Sequence, residues 1–89
     1  MAFARKVVVI DGIRIPFVKS LGTYLGLSNQ DLLSASLNGL VSRNKLEGKL
    51  IGDVITGTVM NHPFDWNLGR EVVLGSDLDP NTPVLNIQR

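Results

Sequence analysis

The chain has 89 residues, which is enough for one domain at most. Nine basic and eight acidic residues give it a net charge of +1, and the basic residues are spread along the chain, so the composition provides no electrostatic footprint for nucleic acid or an anionic membrane. With no cysteine and a single histidine, the sequence has neither a disulfide framework nor a set of zinc ligands, and we predict no metal site.

The apolar content is high for so short a chain. Hydrophobic residues make up 44% and charged residues 19% of the sequence, against about 25% charged residues in typical domains. A chain of this size buries only about 60–68% of the surface that its unfolded form exposes. Two interpretations fit these values: a compact domain with an adhesive surface, or a piece of a larger structure. The surface argument favours the second.

No segment is long enough to be predicted as a membrane span. The apolar run that begins at Val7 is interrupted by Asp11, which makes it shorter than the apolar region of a secretory signal. The sequence therefore predicts a soluble, intracellular protein.

The first predicted element is a strand over residues 6–11. The run VVVI is β-branched and continuous rather than alternating, which is typical of a strand buried on both faces. A connection with three glycines follows, and Pro16 disfavours a helix there. Loops of this length are usually functional or packed against another part of the protein.

A helix is predicted from an N-cap at Ser28 to an end at Asn44. Asp31, at the third helical position, is a favourable acidic residue in the first turn. Apolar residues recur at the spacing of one buried helix face: Leu33, Leu37, Leu40 and Val41. Gly39 lies inside this pattern at a cost of about 1 kcal/mol relative to alanine, which suggests that a neighbouring element approaches it closely.

The second half of the chain predicts a strand, a helix and a strand. The segment DVITGTVM (53–60) is the strand, and Gly57 within it suggests a bulge or a close backbone contact. After the loop NHPFDWN, a helix is capped by Asn67 or Asp65 and ends at Gly75. The last strand is VLNI (84–87). This alternation predicts an α/β fold with a mostly parallel sheet whose faces are covered by helices.

Few residues suggest chemistry by themselves. His62 has two interpretations. It is a functional residue, acting as a general base or contacting substrate, or it is an ordinary loop histidine. Arg14 follows the first predicted strand, where open α/β sheets place ligands; it is either an anion contact or a structural arginine that donates to loop carbonyls. Lys19 has the same two interpretations. The nucleotide-binding fingerprints G-x-G-x-x-G and G-x-x-x-x-G-K-[ST] are both missing.

The loop NHPFDWN carries two aromatic residues, Phe64 and Trp66. An exposed aromatic patch of this kind marks an interface more often than a catalytic site. Arg70 stands directly before Glu71, and we expect it to form an ion pair on the helix surface or between helices. These residues do not assemble a catalytic site, so composition and spacing lead only to a small domain or fragment of the α/β class.

Three segments in succession resemble the N-terminal part of a thiolase. VVVIDGIRIPFVKSLG is similar to the opening strand and Arg-x-Pro turn of that family, although the family form is usually Arg-Thr-Pro. SNQDLLSASLNGLV resembles its first helix, with the Asp-Leu pair at 31–32. The remainder from Ile51 resembles the next strand, the Asn-x-x-Arg helix start at Asn67 and Arg70, and the strand that leads to the active site. NLGREVVLGS is more similar to the β-subunits of fatty-acid oxidation complexes than to biosynthetic thiolases.

The resemblance implies the fold and the activity of the intact protein. Residues 1–89 would be an incomplete N-terminal part of the thiolase N-terminal domain, namely the first strands and helices of an α/β/α layered half. The family transfers acyl groups between a cysteine and coenzyme A, which is a substrate, and no tightly bound cofactor is expected. The nucleophilic cysteine would follow just beyond Arg89. No catalytic residue is therefore assigned here, the coenzyme A contacts are unknown, and we expect the isolated chain to be inactive scaffold.

The same resemblance implies the partners and the location of the protein. We expect the remaining thiolase polypeptide, acyl-CoA substrates and a homodimer or homotetramer, in the cytoplasm or, in a eukaryote, in the mitochondrial matrix. We expect no nucleic acid partner and no membrane span. The alternative is a non-catalytic α/β module that binds a protein through the loop NHPFDWN and its exposed sheet edges.

Overall fold

Two helices alternate with two strands in the computed structural model, which describes residues 5–60, 63 and 66–88. In chain order the elements are as follows: α1 (Asn29–Arg43), β1 (Val54–Thr58), α2 (Leu68–Leu74) and β2 (Val84–Gln88). The α/β class predicted from the sequence is confirmed. In the described part of the chain, no helix is both long and apolar enough to cross a bilayer.

Helix α1 begins and ends where the sequence predicts. The Ser28 hydroxyl accepts a hydrogen bond from the backbone N–H of Asp31 at 3.1 Å, and the Asp31 carboxylate accepts one from the Ser28 N–H at 2.9 Å. This reciprocal capping box satisfies two N–H groups that a helix start leaves free. At the other end, the N–H of Asn44 donates to Leu40 O at 3.1 Å and closes the last turn.

The two strands are parallel and pair without interruption. The register runs from Val54 opposite Val84 to Thr58 opposite Gln88. Gly57 pairs directly with Ile87, and a Cβ placed on it would lie 3.9 Å from the Ile87 carbonyl oxygen. The predicted bulge or close contact at Gly57 is therefore wrong, because the ladder is regular there and the space is ordinary.

Helix α2 connects the strands and covers one face of the sheet. Asn67 is its N-cap and Gly75 its C-cap, as predicted. Val72 and Val73 are fully buried, which places the core between the two helices and the sheet face that carries Thr56. The side chain of Thr82, also fully buried just before β2, accepts a hydrogen bond from the Ile51 N–H at 3.3 Å.

The strand predicted over residues 6–11 is absent from the structure. These residues form no ladder, and Val7 and Val9 are each 92% exposed. A strand needs a neighbour for its N–H and C=O groups, and within the described residues the sheet consists of β1 and β2 alone. The apolar run therefore has strand propensity without a partner to pair with.

The segment before α1 is nevertheless attached to that helix. The Asp11 carboxylate accepts hydrogen bonds from Asn44 Nδ2 at 2.9 Å and from Arg43 Nη1 at 3.3 Å. The bond from Asn44, with smaller contributions from the Gly12 N–H and from Arg43, lowers the pKa of Asp11 below its usual value.

Ile13 lies against Gly39, where an added Cβ would come within 2.8 Å of the Ile13 Cδ1. The close approach predicted at Gly39 is confirmed.

Candidate functional site

The two strands end at the same edge of the sheet, which is where open α/β folds bind ligands. The backbone that leaves β1 is held there by side chains from three places. Met60 O accepts hydrogen bonds from Asn29 Nδ2 at 3.1 Å and from the Thr58 hydroxyl at 3.0 Å, and Val59 O accepts one from Gln88 Nε2 at 3.3 Å. The chain thus leaves β1 tied both to the start of α1 and to the end of β2.

A polar network lies beside this edge, centred on the carboxamide of Asn86 in β2. Its Oδ1 accepts hydrogen bonds from the Thr56 hydroxyl in β1 and from the Gly69 N–H in α2, the latter at 2.9 Å. Its Nδ2 donates to Asn67 Oδ1 at 2.6 Å. One side chain therefore joins both strands and the first turn of the helix between them.

Two backbone donors fix the orientation of both amides in this network. The Gly69 N–H can only donate, so the atom of Asn86 that faces it must be the oxygen. The Arg70 N–H donates to Asn67 at 3.0 Å, which likewise requires the oxygen of Asn67 at that position. The two bonds also satisfy two of the N–H groups that the start of α2 leaves free.

Gly69 allows α2 to approach the sheet closely enough for these bonds to form. A Cβ placed on it would lie 2.7 Å from Asn86 Oδ1 and 3.0 Å from Thr56 Oγ1, and it would also meet Val84 Cγ1. Real Cβ atoms essentially never come within 3.0 Å of another heavy atom. Any larger residue would therefore separate the helix from the strands at the network.

Arg70 holds the turn that enters β2. Its guanidinium donates from Nη1 to Pro80 O at 3.0 Å and from Nη2 to Thr82 O at 2.6 Å. Among the described residues Arg70 forms no ion pair of the kind expected, and its guanidinium instead donates to two carbonyl oxygens of the turn. Since Arg70 and Asn67 lie in the same helical turn, the Asn-x-x-Arg pair fixes both the start of α2 and the approach to β2.

Of the other sequence-predicted residues, none that the structure describes makes a hydrogen bond of this network. The Arg14 guanidinium lies over the Phe17 ring, 4.5 Å from its centroid, which is a cation–π contact; its two interpretations, an anion contact or a bond to loop carbonyls, stay predictions. Lys19 contributes a backbone carbonyl to a turn with Gly22. Trp66 is 89% exposed, as expected for the aromatic loop. His62 and Phe64 lie outside the described residues.

Sequence reasoning missed Asn86 and Thr56. A signal for Asn86 exists, because asparagine is depleted from strands and here stands between Leu85 and Ile87 in an otherwise apolar run. A polar side chain in that position needs a hydrogen-bond partner. The network's side chains, Thr56, Asn67 and Asn86, do not titrate near neutral pH. The network therefore supplies position and not proton transfer.

The chain is similar to known proteins over nearly its whole length. The family model for the thiolase N-terminal domain matches residues 7–89. A 3-ketoacyl-CoA thiolase of Shewanella piezotolerans (strain WP3 / JCM 13877) is 33% identical over 88 residues, which is 99% of this chain and 20% of that protein. The 3-ketoacyl-CoA thiolases of Shewanella sp. (strain ANA-3) and Shewanella denitrificans (strain OS217 / ATCC BAA-1090 / DSM 15013) are each 32% identical over the same shares.

These relatives are about five times longer than the present chain, which spans 20% of their length. The match nevertheless covers every helix and strand that the structure contains, from α1 to β2. The chain therefore belongs to the thiolase family and corresponds to its N-terminal segment.

Proposed function

We propose that the chain is the N-terminal scaffold of a thiolase that transfers acyl groups between a catalytic cysteine and coenzyme A. The reaction converts a 3-oxoacyl-CoA and coenzyme A into acyl-CoA and acetyl-CoA, or runs in reverse as a condensation. The observation that carries the proposal is the family match over residues 7–89, together with relatives named 3-ketoacyl-CoA thiolase. A parallel sheet whose strands end at a common edge suits this role.

The chemistry proposed for the complete enzyme occurs in two transfers. A cysteine thiolate attacks the 3-oxo carbon, the bond between carbons 2 and 3 breaks, and the acetyl-CoA carbanion takes up a proton. The thiolate of a second coenzyme A then attacks the acyl-enzyme, and the cysteine leaves as thiolate. The chain has no cysteine, so its residues would hold the strand ends and loops around the reacting groups and would not form the covalent bond.

The uncovered face of the sheet supports the proposal that further polypeptide packs here. On the side away from α2, the exposed fractions are 61% for Ile55, 51% for Leu85 and 45% for Ile87. Parallel sheets are covered on both faces in almost all known proteins. We propose that the rest of a thiolase polypeptide covers this face and supplies the partner for residues 6–11. Assembly as a dimer or tetramer and a cytoplasmic location belong to the same proposal.

The test compares the complete polypeptide with residues 1–89 alone in a thiolysis assay with acetoacetyl-CoA and coenzyme A. We expect the complete polypeptide to release acetyl-CoA and the 89-residue chain to release none. Release by the short chain, or none by the complete one, would contradict the proposal.

A second function, a non-catalytic interaction module, draws support from Trp66, which is 89% exposed and directly precedes Asn67, the N-cap of α2. An exposed indole of this size is typical of a binding surface. If the chain is such a module, we expect Trp66→Ala to abolish binding to a partner protein. We also expect no thiolysis, either by the unmodified protein or by this variant. A thiolysis-competent complete polypeptide would exclude this function as the main one.

A further inference from the structure

The carboxamide of Asn86 in β2 makes three hydrogen bonds, one to Thr56 in β1 and two to residues at the start of α2, Gly69 and Asn67. It lies two residues before the end of the strand, with its oxygen shared between β1 and α2 and its amide nitrogen on the N-cap residue of α2. Three hydrogen bonds to one planar group therefore join the last part of β2 to β1 and to the start of α2.

No other side chain of similar size reproduces this set of bonds. Aspartate keeps the two acceptor positions but loses the donor, and it would set a carboxylate oxygen against Asn67 Oδ1. Leucine has the same shape and neither donors nor acceptors. The acceptor role is itself fixed, because the Gly69 N–H points at the Asn86 oxygen.

The network is separate from the apolar contacts that hold α2 on the sheet. Val72 and Val73, one turn further along α2, are fully buried, whereas Asn86 as a whole residue is exposed. Replacing Asn86 opens no cavity in that core, so α2 should stay on the sheet. What would change is the fixed relation between the end of β2, the end of β1 and the first turn of α2.

We propose that Asn86 is a positioning residue for acyl transfer, which fixes the end of β2 relative to β1 and the start of α2 at the sheet edge through its bonds to Thr56, Gly69 and Asn67. This inference rests on the proposed thiolase function. Misplacement of a reacting group by about 1 Å costs on the order of 100-fold in rate. Loss of the network should therefore lower kcat, while KM, which reflects substrate contacts made elsewhere, stays nearly constant.

The experiment uses the complete polypeptide and measures kcat and KM for acetoacetyl-CoA thiolysis in three variants. We expect Asn86→Leu to lower kcat about 10- to 100-fold with KM changed less than about threefold, and Asn86→Asp to be intermediate because it retains both acceptor positions. Thr56→Val removes one donor and preserves shape, so its loss should be the smallest. Asn81→Asp, in the exposed turn before β2, is the control and should match the wild type.

Circular dichroism at the assay temperature shows whether each variant is folded. If Asn86→Leu does not fold, Asn86→Asp and Thr56→Val decide the question. Folded Asn86 variants with wild-type kcat, or with a change in KM alone, would overturn the proposal. If the wild type itself has no thiolysis activity, the proposed function fails, and hydrogen exchange of the 84–88 amides then tests the positioning. Exchange that is faster in Asn86→Leu than in Asn81→Asp supports it, and equal exchange overturns it.

Discussion

At the scale of single residues, the two helix glycines meet different surroundings. A Cβ on Gly69 would press on the Asn86 and Thr56 oxygens and on Val84, all of which are held in the sheet. A Cβ on Gly39 would meet only the end of the Ile13 side chain, which rotates easily. The same chemical change should therefore have opposite effects at the two positions.

Gly69→Ala should destabilise the junction of α2 and the sheet. Overpacking costs about 1–3 kcal/mol and the gain in helix propensity offsets about 1 kcal/mol, so we expect a net loss of up to about 2 kcal/mol. Native-state hydrogen exchange of the α2 amides in the complete polypeptide measures this loss.

Gly39→Ala is the matched control, since it is also a glycine-to-alanine change inside a helix. We expect the α1 amides to exchange at the same rate or more slowly, because alanine favours the helix by up to about 1 kcal/mol. Equal destabilisation by both substitutions would show that Gly69 has no special role.

Asp11 should titrate below the ordinary aspartate range. Its folded pKa is lowered chiefly by the hydrogen bond from Asn44. The stabilisation that the ionised Asp11 gives to the attachment of the N-terminal segment to α1 is therefore fully present above the unfolded pKa of about 3.9. The attachment is lost as the pH falls through the lower folded value. NMR titration of the Asp11 carboxyl carbon measures the pKa, and Asn44→Ala should raise it. A wild-type value at or above the ordinary one would contradict the assignment.

At the scale of elements, the sequence predicts correctly those features that depend on residues close together in the chain, and it fails for those that depend on distant residues. The capping box and apolar face of α1 are local, and so are the Asn67 and Gly75 caps of α2, so both helices could be predicted from the sequence. The strand over residues 6–11 could not, because a strand depends on a partner that sequence periodicity does not identify. The hydrogen bond between Thr56 and Asn86 joins residues that are 30 positions apart in the chain, and no local sequence pattern predicts it.

Ser28→Ala should destabilise α1 by about 1 kcal/mol, within a range of 0.5–2, because the Asp31 N–H loses its acceptor. Hydrogen exchange of the first-turn amides of α1 measures the change. Ser42→Ala, an exposed position near the end of the same helix, should alter stability by less than about 0.5 kcal/mol. A comparable loss in both variants would indicate that the capping box contributes nothing specific.

At the scale of the whole molecule, apolar surface exceeds what two helices can cover. The run Val7–Ile10 and the outer sheet face of Ile55, Leu85 and Ile87 are exposed together. The high hydrophobic content predicted this surplus from composition alone, but its location on one sheet face and one unpaired segment required the structure. Under the proposed function, further thiolase polypeptide would cover this surface, since the relatives carry four-fifths of their length outside the matched segment.

Residues 1–89 alone should self-associate and bind a hydrophobic dye such as ANS. The exposed apolar face has no cover in the short chain, so sedimentation should show species larger than a monomer, and thermal unfolding should lack a sharp transition. In the complete polypeptide the dye should bind weakly. A monodisperse monomer of the short chain with cooperative unfolding would contradict the assignment of these faces to contacts with further polypeptide.

The most direct test of the proposed role is to trap the acyl-enzyme. The complete polypeptide is incubated with a 3-oxoacyl-CoA without free coenzyme A, and the adduct is located by mass spectrometry of peptides. We predict one acyl group on a cysteine and an equimolar amount of acetyl-CoA, with residues 1–89 unmodified because they contain no cysteine. An adduct within residues 1–89, or no adduct and no acetyl-CoA, would contradict the scaffold role proposed for this chain.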